Sequence, residues 1–562
     1  MSGVGRTTAA LALAASLGSC AMPESEEHDL VIRGGTVYDG GGGAGVVGDV
    51  AIDGDRVAAV GEVPGRGRSE IDARGLAVAP GFVNMLSWAT ASLLVDGRAQ
   101  SDLRQGVTLE IFGEGTSMGP LTEEMKADMV ERQGDLEFDV EWTTLGEYLE
   151  HLERRGVVPN VASFVGATTV RVHVIGRDDR DPDAAELARM QDLVRQAMAE
   201  GALGVGSSLI YTPAAFAETD ELVALAAAAG ESGGVYISHV RSEGVRLLEA
   251  IDELIEISRR AGVAAEIYHL KAAGRSNWHK FEEAIARVEA ARAEGLRITA
   301  DVYPYPAAAT GLDAAMPPWV REGGHNAWMA RLADRSLRDR LTAEMRAPGE
   351  DWENLLYEAG SAENVLLTDF KSRALKPLAG RTLAEVAAER GLSPEETAIE
   401  LVHADDSRVG AVYFLMSEEN VRRAMTVPWV SFCSDSSAPS AEGVFLRSNL
   451  HPRAYGAFAR VLGLYVREER ALTLGQAVRR LSALPAENLG LRGRGRVLPG
   501  FFADVVVFDA DRIGDRATFA EPHQYAEGML HVIVNGVPAL SDGEPTGAKP
   551  GRFVRGPGWV GA

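Results

Sequence analysis

The chain has 562 residues, of which 46% are hydrophobic and 24% are charged, a balance typical of folded globular proteins and not of disordered ones. Acidic residues outnumber basic residues by 81 to 56, which gives a net charge of −25, and the basic residues form no patch with interleaved aromatic side chains. This distribution argues against a nucleic-acid partner.

The first 20 residues have the features of an export signal. An arginine precedes an Ala- and Leu-rich stretch over 7–17, and Leu17-Gly18-Ser19-Cys20 is similar to a lipobox. We therefore predict a lipoprotein-type signal peptide over 1–20 and an exported protein, lipid-anchored at Cys20 on the periplasmic or outer-membrane face. An ordinary secretory signal, which leaves a periplasmic protein, is the alternative. The other cysteine is Cys433, so lipidation of Cys20 leaves no pair for an internal disulfide.

Short β-rich runs lie at both ends of the remaining chain. The N-terminal runs alternate with turn residues, and Asp53-Gly54 is typical of a two-residue hairpin turn. The same pattern returns at 503–508 and 531–536. We expect the two ends, residues 28–78 and 490–555, to pair into one small β-sandwich domain.

The middle of the chain, residues 79–489, alternates short apolar runs with helical patterns, which predicts β/α units around a parallel sheet. Eight such strands close a (β/α)8 TIM barrel, so the predicted fold class is α/β. The gap before the last strand is too long for one crossover helix, and we expect a helical insertion there at about 306–429. The candidate strands are 76–86, 108–113, 160–166, 203–208, 234–240, 264–270, 298–305 and 430–435.

Two histidines, His239 and His269, end successive predicted strands. Active sites of such barrels lie at the carboxyl ends of the strands, where neighbouring strands are about 4.8 Å apart and two imidazoles can share one cation. Glu114, after the second predicted strand, is the most natural carboxylate to complete the ligand set. For each residue alone, a hydrogen-bonded core histidine or a solvated glutamate in a glycine-flanked loop is the alternative.

Four further polar residues are predicted at the same end of the barrel. Asp435 ends the eighth strand, where a buried carboxylate needs a cation or a proton beside it, and we assign it as the general base. An N-cap for the following helix is the alternative. Lys271, Tyr211 and Arg453 are candidates for binding a substrate carboxylate, although by position alone such residues are more often surface residues.

Several sequence motifs occur together along nearly the whole chain after residue 28. They are Asp29–Asp39, Ala79–Val83, Gly106–Thr108, Tyr236–Gly244, Ser431–Asp435, His451–Gly456 and Pro499–Val507. Together they resemble the D-aminoacylase (N-acyl-D-amino-acid deacylase) branch of the amidohydrolase superfamily. The resemblance implies a barrel hydrolase that uses zinc to remove the acyl group from N-acyl-D-amino acids, which are small substrates carrying a carboxylate.

The resemblance also implies roles for particular residues. His239 and His269 match the two histidines that hold the tightly bound zinc of the family, and Asp435 matches the aspartate that takes the proton from the attacking water. Three residues match the group that binds the substrate α-carboxylate: Arg453, with Lys271 and Tyr211 as its helpers.

The sequence departs from the family pattern at several positions. Leu86-Ser87-Trp88 stands where the first strand normally ends in His-x-His, and Glu114 has to substitute for a cysteine ligand. We therefore expect a single zinc ion, held by Glu114 and the two histidines, and no two-metal site. Ala167 replaces the family's histidine after Gly166, and strand 203–208 lacks the lysine that a carbamylated bridge requires.

The expected function is metal-dependent hydrolysis of a C–N bond other than a peptide bond, with N-acyl-D-amino acids as substrates. Two alternatives remain open: a cyclic-amide or dipeptide hydrolase of the same superfamily, and a non-catalytic binding protein on this scaffold. The expected partner is a small molecule, with membrane contact only through the N-terminal lipid anchor. The oligomeric state is not indicated by the sequence.

Overall fold

The computed structural model describes Met1 and residues 27–561, so the predicted lipobox and Cys20 lie outside the described residues. The first strands are β1 (Glu27–Val37), β2 (Val46–Asp53), β3 (Arg56–Gly61), β4 (Arg66–Asp72) and β5 (Ala77–Pro80). β1 pairs antiparallel with β2 and parallel with both β4 and β5, so these strands form one sheet around β1. The β2–β3 hairpin turns at Gly54-Asp55, because Asp53 pairs with Arg56; the turn lies one residue later than expected.

The barrel begins directly after β5 and alternates short buried strands with helices. Its first strands are β6 (Phe82–Asn84), β7 (Val107–Phe112), β8 (Asn160–Ser163), β9 (Val165–Gly166), β10 (Gly204–Ser208), β11 (Val235–His239), β12 (Ala265–Ile267) and β13 (Ile298–Val302). The helices are α1 (Thr90–Val95), α2 (Gln100–Leu103), α3 (Glu123–Glu131), α4 (Leu145–Arg155), α5 (Ala167–Ile175), α6 (Ala184–Glu200), α7 (Thr219–Gly230), α8 (Leu247–Ala261) and α9 (Phe281–Ala293). The barrel pairs are parallel, and β8 and β9 act as one strand interrupted at Phe164, pairing with β7 and β10 respectively.

The segment that follows β13 is an inserted subdomain of helices and a small sheet. Its strands are β14 (Ala308–Gly311), β15 (Val365–Asp369) and β16 (Gly410–Tyr413), which form an antiparallel sheet with β16 in the centre. Its helices are α10 (His325–Ala333), α11 (Arg338–Met345), α12 (Leu355–Glu358), α13 (Leu383–Arg390), α14 (Pro394–Asp405) and α15 (Glu418–Ala424). We expected helices here but not the sheet, whose strands are short and far apart in the sequence.

The last barrel strand, β17 (Val430–Phe432), pairs in parallel with β13 and closes the ring. Closure runs through a parallel bridge between Ser87 and Ser436 and a 2.9 Å hydrogen bond from Asp435 N to Leu86 O. The chain continues through α16 (Arg453–Arg460), a π-helical turn (Val461–Glu468), α17 (Leu474–Leu481) and α18 (Ala483–Asn488). With β8 and β9 taken as one strand, the architecture is the expected (β/α)8 barrel.

The C-terminal strands β18 (Val505–Phe508), β19 (Met529–Val534), β20 (Val537–Ser541) and β21 (Glu544–Pro545) complete the first sheet. β18 pairs antiparallel with β5, so both ends of the chain contribute to one nine-stranded sheet. Phe82 of the barrel contacts Phe508 of this sheet with ring centroids 6.5 Å apart. No helix in the described part of the chain has both the length and the apolar character that a bilayer crossing requires.

Candidate active site

One large cavity opens at the carboxyl ends of the barrel strands. Its volume is about 800 Å³, which lies in the range of small-molecule sites. The strand-end loops line it on one side and the inserted subdomain on the other, through residues such as Thr310 and Arg408. All seven residues that we selected from the sequence line this cavity: Glu114, Tyr211, His239, His269, Lys271, Asp435 and Arg453.

Three of these residues converge on one point. Glu114 Oε1 lies 3.0 Å from His239 Nδ1 and 3.0 Å from His269 Nε2. The two imidazole rings stand almost perpendicular to each other, at 83°, with their centroids 4.5 Å apart. All three residues are buried, and their ligand atoms lie within 4.8 Å of one another.

The backbone around Glu114 directs its side chain towards the histidines. Gly113 and Gly115 flank it with φ values of +110° and +70°, a conformation that glycine adopts without strain. A Cβ on Gly115 would lie 2.5 Å from Ser208 Cβ, so no larger residue fits there. The Trp88 indole N–H donates to Glu114 Oε2 at 3.0 Å, which leaves Oε1 for the histidines.

Groups behind the two imidazole rings hold them in place. His269 has a φ of +34°, uncommon for a residue with a side chain, and its backbone N–H donates to Asp301 Oδ1 at 2.7 Å. His269 Nδ1 lies 3.0 Å from Glu243 Oε1 and 2.8 Å from Lys271 Nζ. His239 Nε2 is buried and has no hydrogen-bond partner among the described residues.

This group of atoms fits a divalent cation, and zinc in particular. Two imidazole nitrogens and one carboxylate oxygen are a ligand set that zinc takes in hydrolytic sites, where a fourth position stays open. The contact between His269 Nδ1 and Glu243 is the carboxylate support that metal-binding histidines usually have.

Burial and mutual contacts shift the pKa values of these groups. Burial by itself raises the pKa of Glu114, but the hydrogen bonds to His239 and His269 outweigh it and lower that pKa below its ordinary value. Burial and the charge of Lys271 lower the pKa of His269, whereas Glu243 and Glu114 outweigh them and raise it to about 10. The carboxylates therefore favour a positive charge at this point, carried by an imidazolium or by a metal ion.

Asp435 faces the same cavity from the loop after β17. Its φ is +48°, and its Oδ2 lies 2.8 Å from Arg453 Nη1. Burial raises the pKa of Asp435, and the charge of Arg453 opposes that rise. A buried carboxylate with a raised pKa is well suited to accept and return a proton.

Arg453 and Tyr211 stand on the side of the cavity next to the inserted subdomain. Arg453 Nη2 lies 3.4 Å from Ala309 O, and the Tyr211 hydroxyl donates to Thr310 Oγ1 at 2.9 Å. The Tyr211 ring centroid is 5.4 Å from that of His239. Strand β14 therefore positions both side chains beside the ligand group.

Glu243 is a buried residue of the site that we did not predict from the sequence. Its Oε1 accepts from Lys271 Nζ at 2.5 Å, and its Oε2 lies 3.6 Å from His239 Nε2. Burial by itself raises the pKa of Glu243, but the charges of Lys271 and the histidines hold that pKa below its ordinary value. The ammonium of Lys271 is therefore engaged by a protein carboxylate. The available signal was the position of Glu243, four residues after His239 in the same strand-end loop.

The positions where the sequence departs from the family pattern also lie at this end of the barrel. Leu86 is fully buried, and Trp88 bonds to Glu114, so neither side chain offers a ligand atom to a metal. Within residues 27–561, Glu114, His239 and His269 form the one group of three side chains with metal-ligand geometry.

Comparison with known proteins places the chain in a family. The model of the amidohydrolase family matches residues 69–539. The chain is 32% identical over 536 residues to a D-aminoacylase of Alcaligenes xylosoxydans xylosoxydans, which covers 94% of this chain and 98% of that protein. It is 33% identical over 534 residues to an N-acyl-D-glutamate deacylase of the same organism, covering 94% and 97% of the two chains.

Solved structures agree with this placement. An N-acyl-D-glutamate deacylase from Bordetella bronchiseptica, complexed with zinc and a phosphonate inhibitor, is similar with a TM-score of 0.77 at 30% identity, covering 94% of this chain and all of that one. A solved D-aminoacylase structure is similar with a TM-score of 0.78 at 33% identity, and the coverage is the same. That structure concerns the functional role of the binuclear metal centre, with one-metal activation and second-metal attenuation. The chain belongs to the amidohydrolase family.

Proposed function

We propose that this protein is a zinc-dependent amide hydrolase that converts N-acyl-D-amino acids to free D-amino acids and carboxylic acids. The observation that carries the proposal is the convergence of Glu114, His239 and His269 beside buried Asp435 in one cavity. Two nitrogens and one oxygen next to a carboxylate of raised pKa are the components of metal-assisted hydrolysis. Similarity along almost the whole chain to two D-amino-acid deacylases supports the choice of substrate.

Asp435 is the proposed proton-transfer group. Zinc held by Glu114 and the two histidines supplies Lewis acidity, which acidifies water and polarises a carbonyl group. Asp435 accepts the proton of the attacking water and later gives it to the leaving amine nitrogen. Its contact with Arg453 orients the carboxylate, and its raised pKa makes it a stronger base towards the attacking water.

Arg453 is the proposed anchor for the substrate α-carboxylate. It is buried, and its Nε and Nη1 have no hydrogen-bond partner in the described part of the chain, although Nη1 lies 2.8 Å from Asp435 Oδ2. A guanidinium group with free donors forms strong charge-assisted hydrogen bonds to a carboxylate. Tyr211 and Lys271 line the same cavity as helpers of Arg453, and the Lys271 ammonium is held in place by Glu243.

We propose one zinc ion per chain. Leu86 and Trp88 replace the histidines that the family uses for a further ion, and Glu114 replaces the cysteine. The description of one-metal activation in a related D-aminoacylase supports the view that a single ion is sufficient for hydrolysis.

We also propose that the protein is exported and lipid-anchored at Cys20, or released as a periplasmic protein. The support is the sequence motif alone, an Ala- and Leu-rich stretch followed by Leu17-Gly18-Ser19-Cys20.

The test is hydrolysis of N-acetyl-D- and N-acetyl-L-amino acids by the zinc-loaded protein, measured as amine release. We expect the D enantiomers to be hydrolysed about 100-fold faster or more, because a fixed carboxylate anchor presents only one enantiomer correctly to the metal. Hydrolysis of hydantoins or dipeptides without hydrolysis of N-acetyl-D-amino acids would favour the cyclic-amide or dipeptide alternative. No turnover of any of these compounds would favour a binding protein.

A further inference from the structure

A second arginine lines the cavity, one aromatic ring away from the metal ligands. Arg408 Cζ is 4.9 Å from the ring centroid of Tyr211, and that ring is 5.4 Å from the ring of His239. The Arg408 side chain is 46% exposed, which leaves it accessible from the cavity. Arg408 and Arg321 both pair with Asp313, whose side chain is fully buried. Two guanidinium groups against one carboxylate leave one net positive charge in this part of the wall.

The two arginines of the cavity wall, Arg408 and Arg453, contact adjacent residues of strand β14. Arg453 Nη2 lies 3.4 Å from Ala309 O, and Arg408 Nη2 donates to Thr310 Oγ1 at 3.2 Å. Both arginines also line the same cavity, so both cations border the proposed substrate space. A pair of arginines such as this is suited to bind a ligand with two carboxylates that are a few bonds apart.

Arg408 retains a donor for a ligand. Its Nε donates to Asp313 at 2.9 Å and its Nη2 to Thr310, and its Nη1 makes no hydrogen bond to any part of residues 27–561. Arg177 also lines the cavity, where its Nη2 donates to Asp128 at 2.9 Å.

We infer that Arg408, supported by Arg321 and Asp313, binds a second carboxylate of the substrate, so that the preferred substrates are N-acyl derivatives of acidic D-amino acids. This inference rests on the proposed function, in which Arg453 takes the α-carboxylate. Arg408 then takes the side-chain carboxylate. Overall identity does not decide the matter, since it is 32% to the D-aminoacylase and 33% to the N-acyl-D-glutamate deacylase.

The test compares N-acetyl-D-glutamate with N-acetyl-D-glutamine, which have nearly the same shape and differ by one charge. We expect the wild-type protein to have a kcat/KM about 10-fold or more higher for the glutamate, the factor that a charge-assisted hydrogen bond typically contributes. Arg408→Gln should lower this ratio towards one. Arg177→Gln, which removes a paired arginine of the same cavity, should leave the ratio unchanged.

A wild-type kcat/KM ratio near one, or a high ratio that persists in Arg408→Gln, overturns the inference. Hydrolysis of either substrate in the same experiment still supports the proposed function. An equal drop in Arg177→Gln also overturns it, because the preference then reflects the overall field of the cavity. If no N-acetyl-D-amino acid is hydrolysed, the proposed function itself fails. If circular dichroism shows that Arg408→Gln does not fold, Arg408→Leu replaces it in the same comparison. The ratio of the wild-type protein tests the inference in either case.

Discussion

The carboxylate of Glu243 connects both ligand histidines to a buried lysine. It lies 3.0 Å from His269 Nδ1 and 3.6 Å from His239 Nε2, and it accepts a hydrogen bond from Lys271. A carboxylate behind a metal-binding histidine fixes the orientation of the ring and raises the basicity of the ligand nitrogen. Glu243 is therefore a positioning residue, which acts on the metal through the histidines.

Glu243→Gln is expected to lower zinc affinity by about 10- to 100-fold, the usual effect of losing such a supporting carboxylate. The neutral amide no longer balances the charge of Lys271 beside His269, and this uncompensated positive charge further weakens zinc binding. Competition with a chelating dye measures the affinity. As a control, Glu253→Gln changes an ion pair with Arg241 outside the cavity and should leave zinc affinity unchanged. Wild-type affinity in Glu243→Gln would limit Glu243 to a structural role.

Single residues of the site were predictable where their position in a strand decided their location. His239, His269 and Asp435 lie at the carboxyl ends of predicted barrel strands, and the fold brings such positions to one rim. The partner of Lys271 was not predictable, because the contact with Glu243 joins two loops of different strands. The sequence therefore indicates which side chains reach the cavity. It does not indicate as reliably which of these side chains pair with one another.

Among the structural elements, β12 is joined to its neighbours by a buried glutamate away from the metal ligands. Glu266 Oε2 accepts from Thr299 of β13 at 2.7 Å and from Asn488 at 3.2 Å, and Oε1 is 3.5 Å from the Ser431 hydroxyl of β17. Burial and the neighbouring Asp301 raise the pKa of Glu266 to about 8. The native barrel therefore holds a proton on this side chain near neutral pH.

That proton makes the stability of the barrel depend on pH. The ordinary pKa of Glu266 is 4.5, so between pH 4.5 and about 8 the native protein keeps a proton that the unfolded chain releases. The contribution of Glu266 is therefore complete below pH 4.5 and decreases as pH rises towards 8. Glu266→Gln mimics the protonated form, and we expect it to raise the free energy of unfolding relative to wild type more at pH 8 than at pH 5. Urea unfolding at the two pH values measures this, and an equal or larger gain at pH 5 would contradict it.

The sheet of the inserted subdomain shows why some elements escape sequence-based prediction. β14 has the sequence Ala308-Ala309-Thr310-Gly311, which contains neither an apolar alternation nor a β-branched run. Its strand conformation depends on antiparallel pairing with β16, about 100 residues away. The barrel strands, in contrast, are buried apolar runs followed by helices, a local pattern that the sequence displays directly.

At the level of the whole molecule, the two chain ends close around the barrel. That both chain ends contribute to one sheet was predictable, because β-rich runs with turn residues recur at both ends of the chain. The pairing of β5 with β18 was not predictable, because we expected 76–86 to be one barrel strand, whereas Gly81 divides it into β5 and β6. The final segment was not: Phe553 forms a parallel bridge with Val161 of β8, and Arg552 N donates to Asn160 Oδ1 at 3.1 Å. These contacts involve a segment without any periodic pattern, so only the assembled barrel reveals its position.

The most direct test of the proposed one-zinc centre is the zinc content of the purified protein, measured by mass spectrometry together with hydrolysis of N-acetyl-D-glutamate. We predict one zinc ion per wild-type chain, and loss of both zinc and activity in folded His269→Ala. Two ions per chain, or hydrolysis that persists in His269→Ala without bound zinc, would contradict a single catalytic ion held by Glu114, His239 and His269.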